Sequence, residues 1–283
     1  MKRFLLSVPF AWYSLSAEAI TFPEFGKPLP DAPEFAAEAF AAAYDFEGIV
    51  ALSNCSGSLV RFEDSLDSDQ AMVLSNGHCV SMIQPGKVIN NQSASRSFDV
   101  LSSTGSRLGR VTATKLLYAT MTKTDMSLYL LKETYQEILN KYETQALTLA
   151  SGEPSVGTDI EVISGYWKRG YSCQVEAIVD TLKEGNWTFS RSVRYSRPGC
   201  EVIGGTSGSP VIEKGSRMVL AVNNTINESG RECTVNNPCE VDKDGNITYQ
   251  KGVGYAQQTH WIYSCRDADR NVDLTVPGCQ LPR

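Results

Sequence analysis

The sequence predicts an all-β protein, on two observations. From Phe46 onward, short apolar or alternating runs follow one another, separated by polar or Gly-containing turns, which is the pattern of a sandwich or barrel. Helical spacing beyond that point is confined to two brief stretches. The chain has 283 residues, 42% hydrophobic and 20% charged, an ordinary globular composition, and one all-β domain of about 200 to 250 residues is a normal outcome. A formal charge of −6 supplies no basic field for nucleic acid or an anionic membrane.

The N-terminus reads as an export signal. Lys2 and Arg3 precede an apolar run from Phe4 to Leu15, and Ala17-Glu18-Ala19 is a small-residue cleavage site, so residues 1–19 are expected to be removed. The run is too short to span a bilayer comfortably and contains Ser7 and Pro9, so no stable membrane anchor is expected. Residues 20–33 carry Pro23, Pro28, Pro30 and Pro33 and read as extended, whereas residues 34–44 are Ala-rich and favour one short helix. Residues 20–45 are therefore a leader: either a pro-segment or a helix packed beside the domain. The missing basic processing site favours the second.

The cysteines agree with export. There are eight, Cys55, Cys79, Cys173, Cys200, Cys233, Cys239, Cys265 and Cys279, all beyond the signal, and an even number in an exported chain implies disulfides. Proximity suggests Cys55–Cys79, Cys173–Cys200, Cys233–Cys239 and Cys265–Cys279, a connectivity that spacing alone does not prove. No C-x-x-C pair occurs and there are two histidines, so no zinc cluster is expected.

The domain is expected over residues 46–283. Two short strands, Gly48–Ser53 and Gly57–Phe62, flank Cys55; residues 63–70 form a polar loop; Ala71–Ser75 is a third strand, ending at Asn76-Gly77-His78-Cys79. Further strands are expected at 98–102, 108–118, 126–131, 159–166, 173–182, 187–195, 210–213, 217–223, 247–250 and 252–257. Apolar or aromatic residues at 135, 138, 139 and 142 predict a helix over 132–142, and a last short helix is expected at 259–264.

The chemistry gathers around Gly204-Gly205-Thr206-Ser207-Gly208-Ser209-Pro210. A hydroxyl between glycines, just before the apolar pair Val211-Ile212, can be exposed as a nucleophile with backbone N–H groups aimed at a developing oxyanion. Serine is weak alone and needs a base, and the base needs an orienting group. His78 follows an apolar strand and adjoins Cys79, whose disulfide would hold the loop. His260, in Gln257-Gln258-Thr259-His260-Trp261, reads as a structural residue. For the orienting carboxylate, Asp125 stands directly before the apolar run Met126–Leu131. Asp99 lies within an alternating strand and Asp159 starts one, which makes both weaker candidates.

Ser75-Asn76-Gly77-His78-Cys79, Asp125-Met126-Ser127-Leu128 and Gly204-Gly205-Thr206-Ser207-Gly208-Ser209-Pro210 together resemble the three catalytic motifs of chymotrypsin-like (trypsin-type) serine peptidases, in that family's order His, Asp, Ser. Cys55-Ser56-Gly57-Ser58-Leu59-Val60 is similar to its disulfide-bearing strand, and the Ser motif is closest to bacterial secreted members. The resemblance covers roughly residues 46–265. It implies two antiparallel six-stranded β-barrels with the site in the cleft between them, the boundary falling roughly at 132–158. It further implies a catalytic set of His78, Asp125 and Ser207, an oxyanion hole from the N–H groups of Gly205 and Ser207, no metal or organic cofactor, a peptide or protein substrate, and a secreted or periplasmic monomer.

The chain also departs from the family. Many animal members have an acid before the catalytic Ser that pairs with a newly cut N-terminus; Thr206 cannot make that pair, so the loop is expected to form without a cut at Ile20 or Ile49. Glu201, six residues before Ser207, stands where trypsin-type members carry a pocket acid; there it would favour Lys or Arg, whereas in another register it faces solvent. Asn223 to Thr225 are expected to line the substrate pocket. Asp242-Lys243-Asp244-Gly245-Asn246 is similar to a calcium loop without its bidentate Glu and reads as a hairpin turn. Two other functions are compatible with parts of this pattern: an inactive relative that binds peptides, and an α/β-hydrolase esterase using Ser207, Asp242 or Asp244, and His260. The second needs Gly at 209 and alternating strands and helices, and has neither.

Overall fold

The computed structural model describes residues 44–283. The expected signal, the Pro-rich leader and the Ala-rich helix before Tyr44 lie outside the described residues.

The first half of the chain forms β1 (Ile49–Ala51), β2 (Ser56–Arg61), β3 (Gln70–Ser75), β4 (Val88–Ser93), β5 (Ser97–Leu101), β6 (Arg107–Thr120) and β7 (Met126–Thr134). The second half forms β8 (Leu147–Leu149), β9 (Asp159–Ser164), β10 (Arg169–Glu184), β11 (Trp187–Tyr195), β12 (Pro210–Glu213), β13 (Met218–Ile226), β14 (Cys239–Val241), β15 (Ile247–Thr248) and β16 (Gly254–Gln258). Hydrogen bonding runs in the order β1-β5-β6-β7-β3-β2 and closes through β1–β2, giving one six-stranded antiparallel barrel. The order β13-β12-β9-β10-β11-β16 closes through β13–β16 and gives a second. Between them β8 pairs in parallel with both β2 and β13.

Three apolar clusters hold this arrangement. Val162, Val175, Val193, Tyr195, Val211 and Ala221 fill the second barrel. Phe46, Val60, Phe62, Leu74 and Leu128 pack with Val219, Val222 and Ile262 where the barrels meet. The third cluster joins Leu59, Val73, Val111 and Leu131 of the first barrel to Leu182, Trp187 and Phe189 at the far end of the β10–β11 hairpin. That hairpin leaves its own barrel to lean on the first: Trp187 Nε1 donates to the Ile83 carbonyl at 2.8 Å, and Lys123 pairs with Phe189 two residues before Asp125.

The sequence reading differs from the structure at element ends. β7 runs through Thr134, so α1 (Tyr135–Tyr142) begins three residues later than periodicity predicted. The reason is a capping box: Thr134 Oγ1 accepts the Glu137 N–H and Glu137 Oε2 accepts the Thr134 N–H. β4, β8 and β14 were not predicted; β4 reads VINNQS and is largely exposed, so it has no apolar alternation. Strand β10 extends well past 173–182 at both ends because three neighbours, β9, β11 and β14, pair along it.

Four disulfides close, Cys55–Cys79, Cys173–Cys200, Cys233–Cys239 and Cys265–Cys279, the same pairs that proximity suggested. Four such bonds suit an oxidising extracellular or periplasmic setting. Among the described residues no helix is long and apolar enough to cross a membrane. After a 3-10 helix at His260–Cys265, the tail returns to the first barrel. Leu281 is buried in the cluster between the barrels, Tyr118 donates its hydroxyl to the Pro282 carbonyl at 3.2 Å, and Arg270 pairs with Asp69 at 2.8 Å.

Candidate active site

The two loops that carry His78 and Asp125 are laced together. Asn76, at the end of β3, donates its side-chain amide to the Asp125 carbonyl at 2.8 Å, and Ser127 donates to the Asn76 carbonyl at 2.7 Å. Gly77 has no room for a side chain: a Cβ there would stand 2.0 Å from the Thr120 carbonyl oxygen and 3.1 Å from Asp125 Oδ1. Asp125 is 1% exposed. Its Oδ1 accepts the His78 backbone N–H at 3.0 Å, and its Oδ2 lies 2.6 Å from His78 Nδ1. An ionised carboxylate only accepts, so Nδ1 carries the proton and Nε2 is left with its lone pair. Burial opposes a charged imidazole, but the Asp125 charge and hydrogen bond, with a smaller contribution from Glu184, outweigh it and raise the His78 pKa above its ordinary value.

Ser207 sits on the loop that joins β11 to β12 of the second barrel. Thr206 N–H donates to the Ile203 carbonyl at 3.1 Å, closing a turn over Gly204 and Gly205; Gly205 has φ +88°. Gly208 follows with φ +81°, and a Cβ there would meet the Ser56 carbonyl oxygen at 2.1 Å and Ser75 Oγ at 2.3 Å, so this position requires glycine. The Ser207 hydroxyl donates to the Asn224 carbonyl at 3.5 Å. Among the described residues, the N–H groups of Gly205 and Ser207 are donated to no protein acceptor, which leaves both available to a ligand.

A short path joins the two halves of the site. Ser56 N–H donates to the Ser207 carbonyl at 2.8 Å; Ser56 follows Cys55, Cys55 is bonded to Cys79, and Cys79 follows His78. Cys55, His78 and Cys79 offer atoms within 4.8 Å of one another, but both sulfurs are spent in the disulfide and supply no thiolate to a metal.

The other expected residues fall differently. Asn223 is 1% exposed, with its amide donating to the Thr206 carbonyl at 3.0 Å and its Oδ1 accepting the Tyr195 hydroxyl at 2.9 Å. Its side chain supports the Ser207 loop from inside the barrel, because β13 turns it inward. Thr225 is half-buried, beside the Glu184 carboxyl. Glu201 is exposed; both its oxygens lie 3.2 Å from the Gly199 nitrogen. It lines a cavity of about 430 Å³ that also holds Glu176, Arg197 and Gln250. His260 is half-buried, and burial lowers its pKa, with Glu153 and Arg191 as its charged neighbours. Asp242 accepts the N–H groups of Asp244 and Asn246 and the Asn246 amide, a self-closed turn.

Three residues of the site escaped the sequence. Ser56 Oγ contacts Ser164 Oγ at 2.9 Å and donates to the Gly205 carbonyl at 3.4 Å; its place beside Cys55 was the available signal. Trp167 donates its indole N–H to the Gly204 carbonyl at 2.7 Å, a long-range contact with no local signature. Glu184 lies in Lys183-Glu184-Gly185-Asn186, which reads as a solvated turn, yet it is 8% exposed. Its Oε1 accepts the Asn236 N–H at 2.7 Å. Burial pushes its pKa up to about 7, against that hydrogen bond, Thr225 and His78. Glu228 is pushed up to about 8 by burial and by the Glu184 charge.

Among solved structures, the chain is similar in fold to the MamO protease domain of Magnetospirillum magneticum in its apo form, at 13% identity over 79% of this chain and 97% of that one, with a TM-score of 0.47. Thermobifida fusca Protease A matches at 15% identity over 76% and 90%, TM-score 0.40. Cellulomonas bogoriensis chymotrypsin matches at 11% over 76% and 90%, TM-score 0.39. No curated protein matches the chain. Residues 55–221, from the first cysteine to the middle of β13, match the family described as the trypsin-like peptidase domain. That stretch is more than half of the sequence and contains His78, Asp125 and Ser207, and by it the chain belongs to the trypsin-like peptidase family.

Proposed function

We propose that this protein is an exported serine endopeptidase that cleaves peptide or protein substrates through an acyl-enzyme on Ser207. The observation that carries the reading is the His78–Asp125 pair, 2.6 Å apart on a buried carboxylate, which engages Nδ1 and so assigns the role of base to Nε2. His78 Nε2 takes the Ser207 proton as Oγ attacks the scissile carbonyl. The imidazolium formed is stabilised by Asp125 and returns the proton to the leaving amine. Water then repeats the sequence on the acyl-enzyme. The N–H groups of Gly205 and Ser207 would receive the oxyanion, each such donor contributing about 3 to 4 kcal/mol. The four disulfides support export after removal of residues 1–19.

The measurement is labelling by a fluorophosphonate probe, compared with digestion of a peptide library. The wild-type protein is expected to label and to cleave, Ser207→Ala to do neither, and His78→Ala to lose activity while His260→Ala keeps it. An essential His260 with a dispensable His78 would overturn the reading, and an unlabelled wild-type protein would favour an inactive peptide-binding relative.

A further inference from the structure

An oxyanion donor depends on which way one peptide plane faces. Gly205 N–H belongs to the Gly204–Gly205 peptide, and in a trans peptide the carbonyl of Gly204 and the N–H of Gly205 point in opposite directions. The plane is the centre of a four-residue turn, Ile203 to Thr206, closed by the 3.1 Å bond from Thr206 N–H to the Ile203 carbonyl. Such a turn has two common forms. They differ by a rotation of this central peptide: the third residue has φ of about −90° in type I and about +80° in type II. Gly205, the third residue, has φ +88°, so the turn is type II. Glycine at this position makes either form accessible at little steric cost. Nothing in the turn's own closing bond selects between them, since the same donor and acceptor close both.

The contact that differs between the forms is the one made by the central carbonyl. Trp167 Nε1 donates to the Gly204 oxygen at 2.7 Å. Trp167 stands in the loop Gly165-Tyr166-Trp167-Lys168 that joins β9 to β10. That loop is held from several sides: Tyr166 N–H donates to Ser56 Oγ at 3.1 Å, Trp167 N–H to Ser164 Oγ at 3.2 Å, and the Tyr166 and Trp167 rings meet edge-on at 5.0 Å. On the far side of the turn, Ser56 Oγ holds the next carbonyl, that of Gly205, at 3.4 Å. Thr206 is fixed by Asn223 and by its own hydroxyl, which donates to the Ile203 carbonyl at 2.5 Å.

We propose that Trp167 is a positioning residue for the oxyanion site: by holding the Gly204 carbonyl, its indole N–H keeps the Gly204–Gly205 peptide in the type II orientation and so keeps the Gly205 N–H turned away from the indole and towards the oxyanion formed at Ser207. Rotation of this peptide would turn the Gly204 oxygen in place of the Gly205 N–H, substituting an acceptor for a donor at the developing negative charge. The role rests on the peptidase reading above. It also explains how a loop with Thr206 in place of an acid is set without a cut N-terminus: the ordering contact comes from the second barrel's own hairpin.

The test is Trp167→Phe, which keeps an aromatic ring and removes the N–H, on the mature disulfide-bonded protein. Fluorophosphonate labelling rate, kcat and KM on a fluorogenic peptide cleaved by the wild type, and melting temperature are read together. The expected result is a fall of about 10- to 100-fold in kcat and labelling rate, up to the lower end of the roughly 100- to 1,000-fold cost of deleting an oxyanion donor outright, because the donor is misaimed for part of the time and not removed, with KM within about twofold and the melting temperature within a few degrees. A crystal structure of Trp167→Phe is expected to show the Gly204–Gly205 peptide rotated or in two orientations. Wild-type kcat and labelling in Trp167→Phe would overturn the inference while leaving the peptidase reading intact. So would an unmoved Gly204–Gly205 peptide, or a loss of kcat matched by a collapse in melting temperature. A wild-type protein that neither labels nor cleaves overturns both.

Discussion

Asp125 holds His78 at two points, its Oδ1 on the backbone N–H at 3.0 Å and its Oδ2 on the ring Nδ1 at 2.6 Å. One carboxylate therefore sets both the position of the loop and the tautomer of the imidazole. Asp125→Asn keeps an acceptor for one of these bonds and removes the charge that favours the imidazolium. The expected loss is about 10⁴-fold in kcat, as for a wrongly set tautomer, with the protein still folded by circular dichroism. A loss below tenfold would show that Asp125 does not orient the base.

The acid limb of the pH profile reports on Glu184. On the proposed mechanism His78 works deprotonated, so activity is expected to rise with pH through a pKa lifted above the ordinary histidine value, and Glu184 is one of the charges that lift it. Glu184→Gln removes that charge. The limb of kcat/KM is expected to move to lower pH, measured on a fluorogenic peptide from pH 5 to 9; a shift to higher pH would contradict the assigned contact.

Stability carries a second signature of the same side chain. Glu184 is raised from 4.5 to about 7 by burial, so between these values the folded state keeps a proton that the unfolded chain has released. Stability must then fall as pH rises through this window, by about 3 kcal/mol at full ionisation. In Glu184→Gln that slope is expected to shrink by the Glu184 share, leaving the parts contributed by Glu228 and His78, which have the same sign, and by His260, which opposes them, while the Gln oxygen still accepts the Asn236 N–H. Urea unfolding of both proteins at pH 5 and pH 8 measures it; parallel curves would exclude a buried, proton-holding Glu184.

The Cys55–Cys79 bond closes a loop with a sequence separation of 24, and removing it is expected to cost about 3 kcal/mol. Because the same bond ties the strand holding Ser207 to the residue after His78, Cys55→Ser with Cys79→Ser should also lower kcat more than the corresponding loss of Cys233–Cys239. Equal effects of the two deletions on kcat would remove any special role for the first.

Leu281, 3% exposed near the chain's end, packs with residues of both barrels. Leu281→Ala is expected to cost about 2 to 4 kcal/mol by the cavity it leaves, read from the denaturation midpoint, with kcat unchanged at temperatures well below melting.

Much of this architecture is readable from residue order, and the reasons differ by feature. His78, Asp125 and Ser207 stand out in the sequence as candidates because each lies where an apolar strand meets a short polar loop, and because three motifs in one order constrain each other. The strands are legible where one face is buried, as in β3, and not where both are wet, as in β4. The helix start was misplaced because periodicity does not register a cap; Thr134 and Glu137 decide it. The inward aim of Asn223 is not readable because register fixes which way a strand residue points, and one residue of slip turns it to the other face. Trp167 and Glu184 were invisible for a different reason. Each acts through a contact far along the chain, Trp167 on Gly204 and Glu184 on Asn236, and side chains in turn-like sequences look solvated until the tertiary fold covers them.

The three residues of β8 deserve a last consequence. Leu147–Leu149 pairs in parallel with β2 on one side and β13 on the other, so neither barrel can be separated without exposing unpaired backbone along β2 or β13. A fragment ending before Leu147 would carry an unprotected strand edge and would tend to self-associate. The two barrels should therefore unfold as a single cooperative unit, visible as one calorimetric transition, despite each being a closed cylinder in its own right.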